Sequence, residues 1–261
     1  MSLWFEPDWP IPRGIRALSS LRGDLHGGGA SQGPYARFNL GAHVGDEPAA
    51  VAQNRRLLMS RAGLPAEPCW LAQVHGVAVA DLDATDLDTA GVGAAPPIPA
   101  DAAVTRHPGK VCAILTADCL PILLATDTGD AVAAAHAGWR GLAAGVIGAT
   151  VRALAVPPDR LMAWLGPAIS RSHFEVGAEV REAFLRTDAG AGDAFEARPN
   201  FKFMADLGML ARRQLEALGV RRIYGGGECT YARADRYFSH RRDGVTGRQA
   251  TLIWREESEN G

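Results

Sequence analysis

The feature that most constrains this chain lies near its centre. Val111–Ala117 and Leu120–Thr126 are short, almost uninterrupted apolar runs, parted only by Asp118 and Cys119, and Ala131–Ala135 follows as a third. An apolar run without alternation is a strand buried on both faces, so the chain must fold around covered sheets. Around this centre, Leu142, Val146, Ile147, Thr150 and Leu154 fall at helical spacing until Pro157-Pro158 stops them. The spacing also predicts helices over 47–62, Ala178–Arg186 and Met204–Leu218. In the first of these, Val51, Leu57 and Leu58 lie on one side and Asn54 and Arg55 on the other. Further strands are expected at Leu161–Leu165, from Ile223 into Gly225-Gly226-Gly227, and at Ala250–Trp254, ahead of a polar tail that should fray. Strands and helices mix without strict alternation, which selects α+β over a doubly wound fold.

Glycine-rich 22–45 and the stretch 84–101 read as loops. The second is not a domain linker, because the motifs on either side of it converge. No internal repeat is visible, so residues 1–261 are expected to form one compact domain. At this size a substantial core forms without staples. Apolar residues make up 47% and charged residues 21%, which excludes extended disorder. With 27 basic against 29 acidic side chains the net charge is −2, arguing against a nucleic-acid binder. Of the basic residues only Lys110 and Lys202 are lysine, a bias of composition rather than of function. No segment is long and apolar enough for a membrane span, and Glu6, Asp8 and two prolines occupy the place of a signal peptide. Cys69, Cys112, Cys119 and Cys229 show no CxxC pairing, which fits a reduced, cytoplasmic protein.

Three polar residues stand out at the ends of expected strands: His75 in QVHG, Cys119 in TADCLP and His136 in HAGWRG. They are too far apart for a local zinc finger, so only tertiary folding could unite them. Two imidazoles and a thiolate suit Zn²⁺, and three protein ligands leave a fourth position for water or substrate. The same residues also read as a Cys119–His136 nucleophile pair, or as ordinary buried side chains. Asp118, beside Cys119, would point to the opposite face of a regular strand. Gln73 would share His75's face and touch substrate, or satisfy a backbone group. Arg140 could hold an anion or stack on Trp139, and Arg22 and His26 border the glycine loop. Asn39 and His43 follow that loop as candidate substrate contacts, and His43 is the one candidate for a fourth ligand if the metal were structural. Arg241, Arg242 and Arg248 with Asp243 read as a structural ion-pair network. Cys69, Cys112 and Cys229 read as structural, Cys229 having no histidine nearby in sequence.

The strings NLGAHVGDEP, NRRLL, WLAQVHG, TADCLPILL, HAGWRGLAAGV, WLGPAI, FEVGAEVREAF, CTY and FSHRRDGVTGRQA occur in one order along residues 13–254. In this the chain resembles the laccase-domain (YfiH-type) family. Those proteins were formerly called multicopper polyphenol oxidases and are now described as purine nucleoside phosphorylases with adenosine deaminase activity. The resemblance implies central mixed β-sheets flanked by helices, related to deamidase toxins that use a Cys–His pair. It implies zinc on His75, Cys119 and His136, and phosphorolysis of adenosine, inosine, guanosine and methylthioadenosine. Hydrolytic deamination of adenosine is implied too, with Asp118 as a proton carrier and Arg22 or Arg140 on phosphate. The family's S-T-R-x-G-G-V-S stretch appears here as Ser20-Leu21-Arg22 with an insertion of three or four residues before the glycines, which unsettles the placement of Arg22.

The expected partners are purine nucleosides and phosphate, with no nucleic acid and no membrane, in a monomer or small homo-oligomer. Two other enzymatic readings stand beside this one. One is a Cys–His amidohydrolase that edits cell-wall muramyl peptides. The other is a copper-dependent polyphenol oxidase, weakened because no HxH pair occurs in the chain. A non-enzymatic scaffold stapled by metal is the remaining alternative.

Overall fold

The computed structural model describes residues 2–23, 28–84 and 97–257. His26, most of the apparent insertion, the middle of the 84–101 loop and the last four residues of the polar tail lie outside them. In chain order the elements begin with β1 (Trp4–Phe5), β2 (Ile15–Ser20), α1 (Pro48–Ala62), β3 (Cys69–Trp70), β4 (Val79–Asp81) and β5 (Ala102–Thr105). The central strands are β6 (Val111–Thr116), β7 (Leu120–Thr126) and β8 (Val132–Ala137), followed by α2 (Trp139–Ala144), α3 (Val146–Leu154) and β9 (Leu161–Leu165). Then come β10 (Glu175–Gly177), α4 (Ala178–Leu185), β11 (Phe195–Arg198), β12 (Lys202–Ala205) and α5 (Leu207–Ala217). The chain closes with β13 (Arg222–Gly225), α6 (His240–Asp243) and β14 (Gln249–Arg255).

Two mixed sheets carry the fold, with strand orders β1-β2-β14-β6-β3 and β13-β9-β7-β8-β5-β4; a small sheet, β10-β12-β11, stands apart. The central apolar runs explain the layering. In β7, Ile122 and Leu124 join the cluster that packs under α3 and α5, while Leu123 and Ala125 face Cys112, Ile114 and Ile253 of the five-stranded sheet. In β6 the other parity, Val111, Ala113 and Leu115, packs with Leu58 of α1. The layers are therefore helices, sheet, sheet, helix, and each central strand is apolar on both faces because each face meets another layer. This is the single α+β domain that the patterning predicts.

Three expectations need correction. The helix over Leu142–Leu154 is two helices, because Gly145 takes φ +96° between them. The stretch Met204–Leu218 begins as β12; the helix starts only after Asp206, whose carboxylate accepts from the Met209 amide as an N-cap. On α1 the inward face is Val51, Asn54 and Leu58, so Asn54 is inside rather than outside. It donates to the Asn39 carbonyl (2.8 Å) and to Ser31 Oγ (2.9 Å), and accepts from the Ala30 amide (2.7 Å). A polar residue sits in the core there because the loop above it has backbone groups to satisfy.

Candidate metal centre and its pocket

The site forms where β6 hands the chain to β7. Asp118, at φ +94°, makes the turn and sends Cys119 to the head of β7. Antiparallel pairing then sets Pro121 opposite His136, so sheet register alone brings the thiol and the second imidazole to one level. His75 comes from an irregular segment after β3 rather than from a strand, and itself has φ +60°. One nitrogen of each histidine and the Cys119 sulfur lie within 4.8 Å of one another. The two rings meet edge to face, with centroids 4.8 Å apart. Gly138 is required beside them: a Cβ there would lie 2.9 Å from Cys119 Sγ and 3.2 Å from the His75 ring.

The residue that assembles this cluster is Asp101, which the sequence reading missed. Its wholly buried carboxylate accepts from His136 Nδ1 at 2.8 Å and from three successive amides, Val74 (3.2 Å), His75 (2.9 Å) and Gly76 (2.6 Å). One carboxylate therefore fixes the tautomer of His136 and the loop that carries His75, leaving His136 Nε2 for the cluster. The only signal in the sequence was an acidic residue directly before the apolar run Ala102–Thr105. A buried partner is not visible from that.

Electrostatics follow from the same contacts. Burial alone would push the Cys119 thiol up, but the His136 charge and hydrogen bonds from both histidines outweigh it and hold the thiol below its ordinary value. Burial alone would push His136 down, but the Cys119 charge and Asp101 hold it well above. These contacts favour the thiolate form of Cys119, and a soft anion with two neutral imidazole nitrogens is the ligand chemistry of a borderline divalent metal.

A cavity of about 250 Å³ opens from the cluster. Its lining joins His75 and Cys119 to the apolar side chains of Trp139, Ile169, Phe174 and Leu207 and to the polar ones of Arg140, His240 and Arg241. Arg140 stands over the Trp139 ring at 4.5 Å.

Several expected site residues are held elsewhere. Gln73 donates to the Leu115 carbonyl and accepts from the Leu115 amide, both at 2.8 Å, so it extends β6 as a strand would. Asn39 is buried, accepting from the Gly41 and Arg248 amides and donating to Asp46. Arg22 donates to the Ala36 and Ala234 carbonyls and approaches Asp243, tying loops together outside the cavity lining. Asp118 lines the cavity, yet both its oxygens are engaged, one by the Thr230 hydroxyl (2.6 Å) and one by the Arg241 amide (2.7 Å). It does not face away as a regular strand would place it, because the left-handed turn redirects it. His43 lies outside the three-donor cluster; partial desolvation of its ring and the charges of Arg248, Arg55 and His136 push it down.

The supposed C-terminal ion-pair network divides. Arg242 pairs with Asp243 at 2.8 Å and Arg248 donates to the Thr246 and Gly247 carbonyls, but Arg241 belongs to the cavity. Cys229, expected to lack a histidine partner, has His173 Nδ1 at 3.6 Å and Ser170 Oγ at 3.1 Å, brought from a loop before β10.

Comparison with known proteins identifies relatives of the whole chain. A purine nucleoside phosphorylase of Pseudomonas aeruginosa is 49% identical over 259 residues, covering 98% of this chain and all of that one. The purine nucleoside phosphorylase YfiH of Escherichia coli is 48% identical over 254 residues, covering 97% and 99%. The crystal structure of a Neisseria meningitidis protein superposes with a TM-score of 0.90 at 45% identity, over 98% of this chain and all of that one. The family model described as multi-copper polyphenol oxidoreductase laccase matches residues 24–256, and the chain is a member of that family, the YfiH-type laccase-domain proteins.

Proposed function

We propose that this protein is a zinc-dependent enzyme of purine nucleosides, cleaving them with phosphate and deaminating adenosine by water. The observation that carries the reading is the three-donor cluster, two members of which line a cavity together with aromatic and arginine side chains. Relatives named as purine nucleoside phosphorylases over nearly their whole length support it. His75, Cys119 and His136 would hold the zinc. When bound, it supplies Lewis acidity and lowers the pKa of a coordinated water. Asp101 keeps His136 oriented, and Gly138 leaves room for the three donors to meet.

The apolar lining of Trp139, Ile169, Phe174 and Leu207 suits a planar purine. In phosphorolysis a phosphate oxygen attacks C1′ of the ribose, the C1′–N9 bond breaks, and the purine leaves as it gains a proton. In deamination water adds at C6 and ammonia departs. Both need the sugar or base held in the cavity, and both expose negative charge that Arg140 of its lining can face. Adenosine, inosine, guanosine and methylthioadenosine share the purine that the apolar lining would grip. The protein would act in the reducing cytoplasm, where its four free cysteines persist.

The test is a product-resolved assay of zinc-loaded protein with adenosine, with and without phosphate. Adenine and ribose 1-phosphate are expected only with phosphate, and inosine in either case. Absence of all three overturns the reading. One observation favours a second reading: the charged Cys119–His136 pair is the apparatus of a thiol amidohydrolase. Amino-acid release from a muramyl peptide by protein that turns over no nucleoside would establish it. Phenol oxidation would need copper in place of zinc and dioxygen as the electron acceptor, and loading with each metal separates the two.

A further inference from the structure

We infer that Arg241, working with Arg140, is the phosphate seat of this pocket, and that Asp118 is the residue that positions it. The inference rests on the phosphorolytic reading above and names the groups that would hold its second substrate.

Arg241 lies 123 positions after Asp118 in the chain, yet its backbone amide donates to Asp118 Oδ2 at 2.7 Å. The other Asp118 oxygen accepts from Thr230 at 2.6 Å, so the carboxylate bridges two late segments to the turn that carries Cys119. That clamp fixes where the Arg241 side chain starts. Beyond it, the guanidinium lies over the Phe174 ring at 5.2 Å and one nitrogen donates to the Glu175 carbonyl at 2.8 Å. A guanidinium has five N–H donors, so most of the fork remains for a ligand. Phe174 and Arg241 both line the cavity, and so do Trp139 and Arg140, which form a second stacked pair at 4.5 Å.

The charge balance favours an anion there. Arg22 and Arg242 both approach Asp243, the one carboxylate of α6, at 3.9 and 2.8 Å. Among the described residues neither Arg140 nor Arg241 has a carboxylate within ion-pair distance, although many other arginines of the chain do. Two arginines held by ring faces and left without a carboxylate in one cavity match the planar, multidentate demand of a phosphate dianion. Arg22, turned to the Ala36 and Ala234 carbonyls and absent from the cavity lining, does not.

The experiment is calorimetric binding of inorganic phosphate to the zinc-loaded protein, paired with phosphate and nucleoside KM values. Arg241→Ala is expected to weaken phosphate binding about 10- to 100-fold, the range of a lost hydrogen-bonded charge contact. Its KM for phosphate should rise correspondingly, while the nucleoside KM and bound zinc stay near wild type. Arg241→Lys keeps charge and bulk but not the planar fork, so it should fold and bind phosphate at an intermediate level. Asp118→Asn should weaken phosphate binding without removing zinc, and Arg22→Ala should leave it unchanged. Wild-type phosphate affinity in zinc-loaded Arg241→Ala and Arg241→Lys overturns the assignment, as does a wild type that binds no phosphate. If wild type binds phosphate through Arg241 but splits no nucleoside, the seat stands and the enzymatic reading falls. If nucleosides are split and Arg241 proves silent, the reverse holds.

Discussion

Among the described residues, two buried polar networks make an instructive pair, and the contrast between them shows what separates a scaffold from a site. The first, under the glycine-rich loop, joins Ser31, Asn39, Asp46 and Asn54 with the Arg248 amide. Each side chain in it is matched to another or to the backbone, and the network closes on itself. The second begins in the same way, with Asp101 accepting four N–H groups, but it ends on three donor atoms that face one another and a cavity. Both contain residues that the sequence nominated for substrate or metal. Burial and polarity alone do not distinguish them; an open end does.

Substitutions can break this contrast, and the largest effect is expected at the open end. Cys119→Ala should abolish turnover and bound metal together while far-ultraviolet circular dichroism stays native. Full activity in a metal-free Cys119→Ala protein would end the distinction. Chelation of the wild type should reproduce the loss of turnover without unfolding, since the layers around the site pack independently of it.

Next in size is Asp101→Asn, which sets an amide N–H against donors that a carboxylate accepts. Metal affinity should fall about 10- to 100-fold, read by competition with a chromogenic chelator. The pH dependence has a definite sign. Burial opposes ionisation of Asp101, but the His136 bond, the Gly76 amide, the His136 charge and the Val74 amide hold its carboxyl below the ordinary range. A depressed folded value contributes stability that is present above the unfolded value near 3.9 and lost as pH falls through the folded one. The variant's deficit in the metal-free protein should therefore shrink in strong acid, and shrink again as pH rises past about 6.5, where unfolded histidine loses its proton, because Asp101 also holds His136 up.

The closed network should respond in the opposite currency. Asn54→Ala strands the Ala30 amide and the Asn39 carbonyl, costing about 3 kcal/mol and lowering the melting temperature by roughly 6–12 °C. Metal stoichiometry should not change. Loss of metal without loss of stability would show that the two networks are one. Smallest is Arg22→Ala, which removes hydrogen bonds to two loop carbonyls at a cost of about 1 kcal/mol, seen as a shift of roughly 2–4 °C.

Much of the architecture was legible because burial on both faces leaves a mark in the sequence. β7 and β9 match their apolar runs residue for residue, and β6, β8 and β14 differ only at their ends. Short strands such as β3, β4 and β10 left no such mark, since their pairing is decided by partners distant in the chain. Asn54 was misplaced for the complementary reason. Helical spacing records which residues are apolar, not which polar ones are drawn inward by unsatisfied loop backbone.

The same division holds at the site. Residue chemistry offered His75, Cys119 and His136 as one reading among several, and the family motifs selected them. What no local pattern could determine was which carboxylates and guanidiniums meet them. Asp101 reaches His136 through the pairing of β5 with β8, and Arg241 reaches Asp118 through the packing of α6 against the turn before β7. Side-chain type is written one position at a time, whereas a hydrogen bond across a hundred residues exists only once the sheets have closed.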